Sequence, residues 1–192
     1  MLTKEDGLIE NITATCLLTI SLFLLYRLIR LWSSKNTNWI ILNILIILGF
    51  FFGFGEEISW GQRIFQIESN SYFLEYNLQG ETNLHNLKLY GLKIYMIVFT
   101  YVFGIVYSFY LFLSTFLFKK YQSVKNLVTK YGIPLPTIQH SIVFIIASII
   151  ITTVPSSRRW ELWECFNSLL ILLIFIQPFN LSETLLSTKN SN

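Results

Sequence analysis

The sequence predicts an all-α membrane protein, a bundle of about five transmembrane helices that forms a single domain over residues 1–192. Of the 192 residues, 53% are hydrophobic and only 13% are charged, whereas a soluble domain has about 25% charged residues. The mean hydropathy is +0.54. This composition excludes a disordered chain and leaves too little charged surface for a water-soluble globule of this length. The expected surrounding is therefore a lipid bilayer.

The first two predicted spans cover residues 12–31 and 39–58. A helix needs roughly 20 apolar residues to cross about 30 Å of hydrocarbon, and both stretches meet that length. Arg27 and Trp32 lie near the end of the first span, and Trp39 begins the second. Such residues are typical of the membrane interface, where long cationic stems and indole rings act as anchors.

Three further spans are predicted at residues 94–118, 138–154 and 160–179. The fourth stops at Pro155, and Pro178 lies near the end of the fifth. Proline cannot continue a helix because it lacks the amide donor and clashes with the preceding turn. A long polar loop separates the second span from the third, and we expect it on the extracytoplasmic side.

Charge distribution predicts how the chain is oriented in a cell membrane. Basic residues are retained on the cytoplasmic side, and they follow the first, third and fifth spans. With those ends inside, eight of the fourteen basic residues are cytoplasmic and ten of the eleven acidic residues are outside. The N-terminus is then outside and the C-terminus is cytoplasmic. The basic residues are too dispersed for a nucleic-acid interface, so no nucleic-acid partner is expected.

Acidic residues at the end of the second span form the first part of a polar cluster. Glu56 lies 17 residues after Trp39, about 26 Å along a helix, and an ionised group in lipid costs several kcal/mol. If the helix continues, Glu56, Ser59 and Arg63 share one face. Glu56 or Glu57 would form an ion pair with Arg63. Such a pair either belongs to a substrate site or only fixes the packing of the helices.

The loop between the second and third spans supplies the second part. Residues 75–85 are polar at every second position, which is typical of an extended strand with one polar face. Alternatively, Thr82 or Asn83 caps a helix leading into the third span. His85 would then lie in its first turn, where the helix dipole favours the neutral imidazole as a base or metal ligand.

The start of the fifth span supplies the third part. Ser157 is suited to cap a helix, and Glu161, Glu164 and Ser168 then form a polar stripe along it. All three parts approach the same membrane face. We therefore expect carboxylates, arginines and an imidazole to gather in one extracytoplasmic pocket, with tryptophans as interface anchors or as part of a substrate cage.

Two segments carry a more specific pattern, GEEISWGQRIF (Gly55–Phe65) and NLQGETNLHNL (Asn77–Leu87). The sequence resembles a family of small bacterial multi-pass membrane proteins that share GEExSWGQR and NxQxExNxHN and have no established activity. The resemblance implies a bacterial inner membrane and supplies no reaction. It also implies that the polar residues of the pattern act together, namely Glu56, Glu57, Ser59, Trp60, Gln62, Arg63, Asn77, Gln79, Glu81, Asn83, His85 and Asn86.

These residues predict an enzyme that acts on a lipid or lipid-linked substrate. The catalytic candidates are Glu56, Glu57, Glu81 and His85, which would act in acid–base chemistry or bind a divalent cation such as Mg²⁺, Mn²⁺ or Ca²⁺. The alternatives are a non-catalytic membrane scaffold or subunit and a proton- or cation-coupled transporter. The candidate substrate-binding residues are Trp60, Gln62, Arg63, Asn77, Gln79, Asn83, Asn86, Arg158, Glu161 and Glu164.

Overall fold

The computed structural model describes residues 7–89, 92–93, 102–155 and 159–185, and shows a helical chain. Short 3-10 turns at Trp32–Ser34 and Ser59–Gly61 follow the first two helices. Two antiparallel strands of two residues each, β1 (Lys88–Leu89) and β2 (Leu92–Lys93), form a hairpin at the end of the loop that follows. The α-helices are α1 (Leu8–Leu31), α2 (Thr37–Glu57), α3 (Gln62–Phe65), α4 (Ser71–Tyr76), α5 (Phe103–Lys120), α6 (Gln122–Tyr131), α7 (Ile138–Thr152), α8 (Arg159–Ile176) and α9 (Leu181–Leu185).

In its described part, each predicted apolar stretch contains a helix, namely α1, α2, α5, α7 or α8. Two helical segments are long and apolar enough to cross a membrane: Leu8–Ser34 with 27 residues and Thr37–Glu57 with 21 residues. Helix α7 is apolar but has only 15 residues, fewer than the roughly 20 that a perpendicular span needs. Helix α5 begins at Phe103, and residues 94–101 of the predicted third span lie outside the described residues.

Local side-chain chemistry fixes several helix ends. The side chain of Asn36 accepts a hydrogen bond from the amide of Trp39 at 2.9 Å and caps α2. Thr137 caps α7 in a reciprocal arrangement with His140, whose Nδ1 accepts the amide of Thr137 at 3.1 Å. Helix α6 ends at Gly132, which has a φ of +64°, a conformation that other residues adopt only with strain.

Helix α8 lies at the centre of the packing, between α1 on one side and α7 on the other, while α2 packs along α1. One apolar cluster joins α1, α2 and α8 through Leu24, Trp39 and Phe175. A second joins α5 to α8 through Leu111 and Ile174. Because α8 contributes to both clusters, it holds the two halves of the bundle together.

Large apolar side chains also cover the outside of the bundle. Ile29 is 68% exposed, Leu45 59%, Ile105 71% and Ile149 61%. Exposed apolar surface on this scale is unfavourable in water, and on long helices it is typical of lipid-facing positions.

The loop between α2 and α5 differs from both predictions for residues 75–85. The predicted strand is wrong: α4 (Ser71–Tyr76) includes the start of this stretch, and a compact turn follows, closed by an antiparallel bridge between Asn77 and Leu87. The alternative helix capped by Thr82 or Asn83 is also wrong, because the chain after His85 leads into the β1–β2 hairpin. The alternating polar side chains bond one another instead of lining a sheet.

Candidate functional site

The site begins where α2 ends. Three consecutive residues after Ile58 have left-handed backbone: Ser59 with a φ of 47°, Trp60 with 54° and Gly61 with 78°. Left-handed backbone is costly for Ser and Trp, and it stops the helix. The prediction that Glu56, Ser59 and Arg63 share one continuous helix face is therefore wrong. Arg63 lies in α3, and its side chain lies outside the described part of the chain.

Glu56 is the residue that ties the loop to α2. It is only 4% exposed, and one carboxylate oxygen accepts the indole N–H of Trp60 at 2.8 Å. The other accepts the backbone amides of Leu84 at 2.6 Å and His85 at 3.0 Å. A carboxylate that accepts three hydrogen bonds is strongly stabilised as the anion. Glu56 therefore fixes the backbone on which the imidazole is carried.

A second group of bonds is centred on Asn83, which is 1% exposed. Its side-chain N–H donates to the hydroxyl of Ser59 at 2.9 Å, and Ser59 donates to the carboxylate of Glu81. The side-chain amide of Asn77 donates to both oxygens of Asn83, at 2.9 and 2.8 Å. Asn77 also accepts the amide of Gln79 at 2.8 Å. Because these polar groups satisfy one another, they can be buried at little cost.

The remaining polar residues of the pattern fasten the edges of the loop. Gln62 accepts the amide of Thr82 at 2.7 Å and donates to Ser69 at 2.6 Å. Asn86 donates to the side-chain oxygen of Gln79 at 2.6 Å. Predicted substrate-binding residues Gln62, Gln79 and Asn86 thus make contacts within the protein that hold the loop in one conformation.

His85 is placed differently from its neighbours. Its side chain is 29% exposed, and Nε2 lies 3.1 Å from the side-chain nitrogen of Asn86. Nδ1 is buried without a hydrogen-bond partner among the described residues, 3.6 Å from an oxygen of Glu56. Burial opposes protonation of His85, but the interaction with Glu56 and the charges of Glu57 and Glu164 outweigh it and raise the pKa of the imidazole above its usual value.

Further acidic residues surround the imidazole. Glu57 at the end of α2 and Glu164 on α8 are close enough for their charges to act on His85. Glu161 and Glu10 act in turn on Glu164. Glu164 is exposed, whereas Glu57 and Glu161 are half-buried. Acidic side chains from α1, α2 and α8 therefore lie within electrostatic range of the loop that contains His85 or of one another.

The described residues contain no group of three or more His, Cys, Asp or Glu side chains arranged to hold a metal ion. Two of the predicted carboxylates already have protein partners, since Glu56 binds backbone amides and Glu81 binds Ser59.

Sequence reasoning did not identify every residue of the site. Ser69 and Thr82, which lie 3.3 Å apart through their hydroxyls, complete the contacts of Gln62. Glu10 was not predicted to take part, although an acid one turn into an apolar helix is a recognisable signal. Arg158 and the predicted cap Ser157 lie outside the described residues. The predicted residues that the structure brings together are Glu56, Glu57, Trp60, Gln62, Asn77, Gln79, Glu81, Asn83, His85, Asn86, Glu161 and Glu164.

Comparison with known proteins adds no assignment to this geometry. No protein-family model, curated protein or solved structure matches the chain. The resemblance carried by GEExSWGQR and NxQxExNxHN therefore stays a prediction, and the functional argument depends on the site itself.

Proposed function

We propose that this protein is a five-span membrane protein with an acid–base site on its extracytoplasmic side, which acts on a lipid or lipid-linked substrate. The observation that carries the proposal is the Nδ1 atom of His85, buried without a hydrogen-bond partner among the described residues and 3.6 Å from Glu56. Nδ1 faces the Glu56 carboxylate and pairs with it when the imidazole is protonated, while the side chain as a whole is 29% exposed. A partly exposed imidazole held against a carboxylate is suited to proton transfer.

The membrane part of the proposal is supported by the outer surfaces of the helices. Helices α1 and α2 meet the length and apolarity of a span, and α5, α7 and α8 coincide with the other apolar stretches. Helices of 15 to 18 residues span when flanking residues or local thinning of the bilayer make up the difference. We place the N-terminus and His85 outside, and the C-terminus in the cytoplasm.

The chemistry proposed for the site is proton transfer. His85 is the donor or acceptor of the proton, because its imidazole is partly exposed and its pKa is raised above the usual value. Glu56 is a positioning residue, since both of its oxygens are engaged by Trp60 and by the amides of Leu84 and His85. The exposed Glu164 and half-buried Glu57 keep the imidazolium stable and lie where a substrate group would approach. Arg63 and Arg158 are the proposed partners of an anionic headgroup.

The test compares His85→Ala with a matched control, His140→Gln. His140 caps α7 and contacts Thr137. Each purified variant is incubated with total membrane lipid and with lipid-linked saccharides, and the products are measured by mass spectrometry. We expect a product with the parent and with His140→Gln, and none with His85→Ala. Equal product from the parent and His85→Ala, with both proteins folded, would contradict the proposal.

A non-catalytic scaffold is a second candidate, and a specific observation favours it. Ser59, Asn77 and Asn83 are buried and bond one another, so much of the polar pattern stabilises the loop. The scaffold predicts that Glu57→Gln and His85→Ala lower the melting temperature in detergent even at about pH 8.5, where the charge of His85 contributes least to stability. The acid–base site predicts folded variants with no turnover, so thermal melts of both proteins separate the two candidates.

A further inference from the structure

The end of α8 that lies opposite His85 borders a cavity lined by lysines. Glu164 is near the start of α8, which ends at Ile176, three residues before Phe179; the helix from Glu164 to Ile176 extends about 18 Å. The cavity has a volume of about 430 Å³ and lies between the end of α5, the start of α6 and Phe179. It is therefore separate from the polar site. Its lining residues are Phe118, Lys119, Lys120, Tyr121, Gln122, Lys125 and Phe179.

The cavity carries three positive charges, and no acidic side chain among the described residues pairs with them. Lys119 lies 4.5 Å from the ring centroid of Phe179, Lys120 5.4 Å from that of Tyr121, and Lys125 6.0 Å from that of Phe118. Among the described side chains, none of these ammonium groups forms an ion pair. Aromatic faces attract cations only modestly. Three ammonium groups around one cavity therefore favour an anion, and a phosphate group is suited to several ammonium donors.

An apolar surface continues from the cavity along α5. Phe109, Leu113 and Phe116 are 53%, 45% and 55% exposed, and they follow one another at helical spacing on the same face as Lys120. Lys120 lies 5.5 Å from the ring centroid of Phe116, so the apolar face ends at the cationic cavity. A free phosphate or a sugar phosphate would leave this face unused. A molecule with a phosphate and an acyl chain would contact both.

We infer that this cavity binds the phosphate of an anionic phospholipid from the membrane leaflet on the side of α6, with an acyl chain along the exposed face of α5. The inference depends on the membrane embedding in the proposed function, but not on the acid–base site. Lysines that face a leaflet of anionic lipids gain about 1 kcal/mol each, equivalent to about a fivefold change in affinity.

The test uses the full chain in detergent, titrated with phosphatidylglycerol, phosphatidylcholine or inorganic phosphate, and bound lipid is counted by native mass spectrometry. We expect phosphatidylglycerol to be retained and phosphatidylcholine to be released. Lys120→Gln should weaken phosphatidylglycerol binding about fivefold. The matched control is Lys130→Gln, because Lys130 is an exposed lysine of α6 that does not line the cavity.

Each outcome decides the inference. Equal retention of both lipids, or equal losses with Lys120→Gln and Lys130→Gln, would overturn it. Competition by millimolar inorganic phosphate as effective as that by phosphatidylglycerol would also overturn it, because the acyl chain would then contribute nothing. Unchanged binding in His85→Ala is expected, and keeps this result distinct from a failure of the acid–base site. Failure of the parent to float with lipid vesicles would instead contradict the membrane embedding.

Discussion

His85 is the residue whose charge state most affects the site. Glu56, Glu57 and Glu164 together place the pKa of its imidazole above the usual value, although burial opposes this. A raised folded-state pKa stabilises the fold fully at a pH below the unfolded pKa of about 6.5, and this stabilisation disappears as the pH rises through the folded-state pKa.

The expected result is a pH-dependent effect of His85→Gln. The variant should lower the melting temperature at about pH 5.5 and have a smaller effect at about pH 8.5, since only the protonated imidazole gains from the neighbouring Glu56 carboxylate. Melts of both proteins in the same detergent measure the difference. An effect that grows with rising pH would show that the neutral imidazole is the favoured form.

A substitution at Asn83 tests whether the buried polar side chains of the loop stabilise the fold. Asn83→Ala removes the N–H that the buried Ser59 hydroxyl accepts and the side-chain oxygen to which the Asn77 amide donates, so we expect a loss of about 1–3 kcal/mol in the free energy of unfolding. The control is Asn126→Ala on α6, whose pairing with Gln122 is exposed, with an effect of about 0.5 kcal/mol or less. Chemical unfolding in mixed micelles gives both values, and similar losses would contradict a buried network.

Several side chains of the polar pattern bond one another in the structure, but the sequence did not indicate which partners they take. The period-two pattern of residues 75–85 predicted a strand, because alternation is the usual signal of one. The same alternation arises in a compact turn whose polar side chains point inward, as Asn77 and Asn83 do. Only the three-dimensional pairing distinguishes the two, and the left-handed backbone at Ser59 and Trp60 had no signal in the sequence.

Helices are the elements that the sequence predicted best. The five apolar stretches became α1, α2, α5, α7 and α8, because length and apolarity depend on each segment alone. The short α3, α4, α6 and α9 were not predicted. Isolated helices of this length are marginal in water, so tertiary contacts decide whether they form.

The junction of α2 and α6 provides a test at this scale. A Cβ atom at position 132 would overlap the indole ring of Trp39, and the backbone there has a φ of +64°. We expect Gly132→Ala to destabilise the protein by at least about 1 kcal/mol, from strain and from the displaced indole.

The control for this junction is Gly49→Ala within α2, where nothing lies within 4 Å of the added atom. Alanine is the better helix former by about 1 kcal/mol, so this variant should match or exceed the parent in stability. Thermal melts of both variants measure the contrast. If Gly132→Ala is as stable as Gly49→Ala, the close packing of α6 on Trp39 is incorrect.

For the whole molecule, the distribution of charge predicts the orientation. Lys88 in the hairpin and Ser123 in α6 are exposed and belong to opposite ends of the bundle. In a chain whose buried Cys16 and Cys165 are replaced by serine, Lys88→Cys should react with a membrane-impermeant maleimide on intact cells. Ser123→Cys should react only after permeabilisation. The reverse pattern would invert the orientation and place His85 in the cytoplasm.

The hydrogen bonds that Glu56 accepts from the amides of Leu84 and His85 also determine the order in which the site forms during synthesis. Glu56 and His85 are 29 residues apart along the chain, so these bonds can form soon after His85 has been synthesised. Glu164 emerges from the ribosome about 80 residues after His85, some 4–16 s later at 5–20 residues per second. The imidazole would thus be held in place by Glu56 before Glu164 arrives, and α8 would then bring the last acidic group within electrostatic range of it.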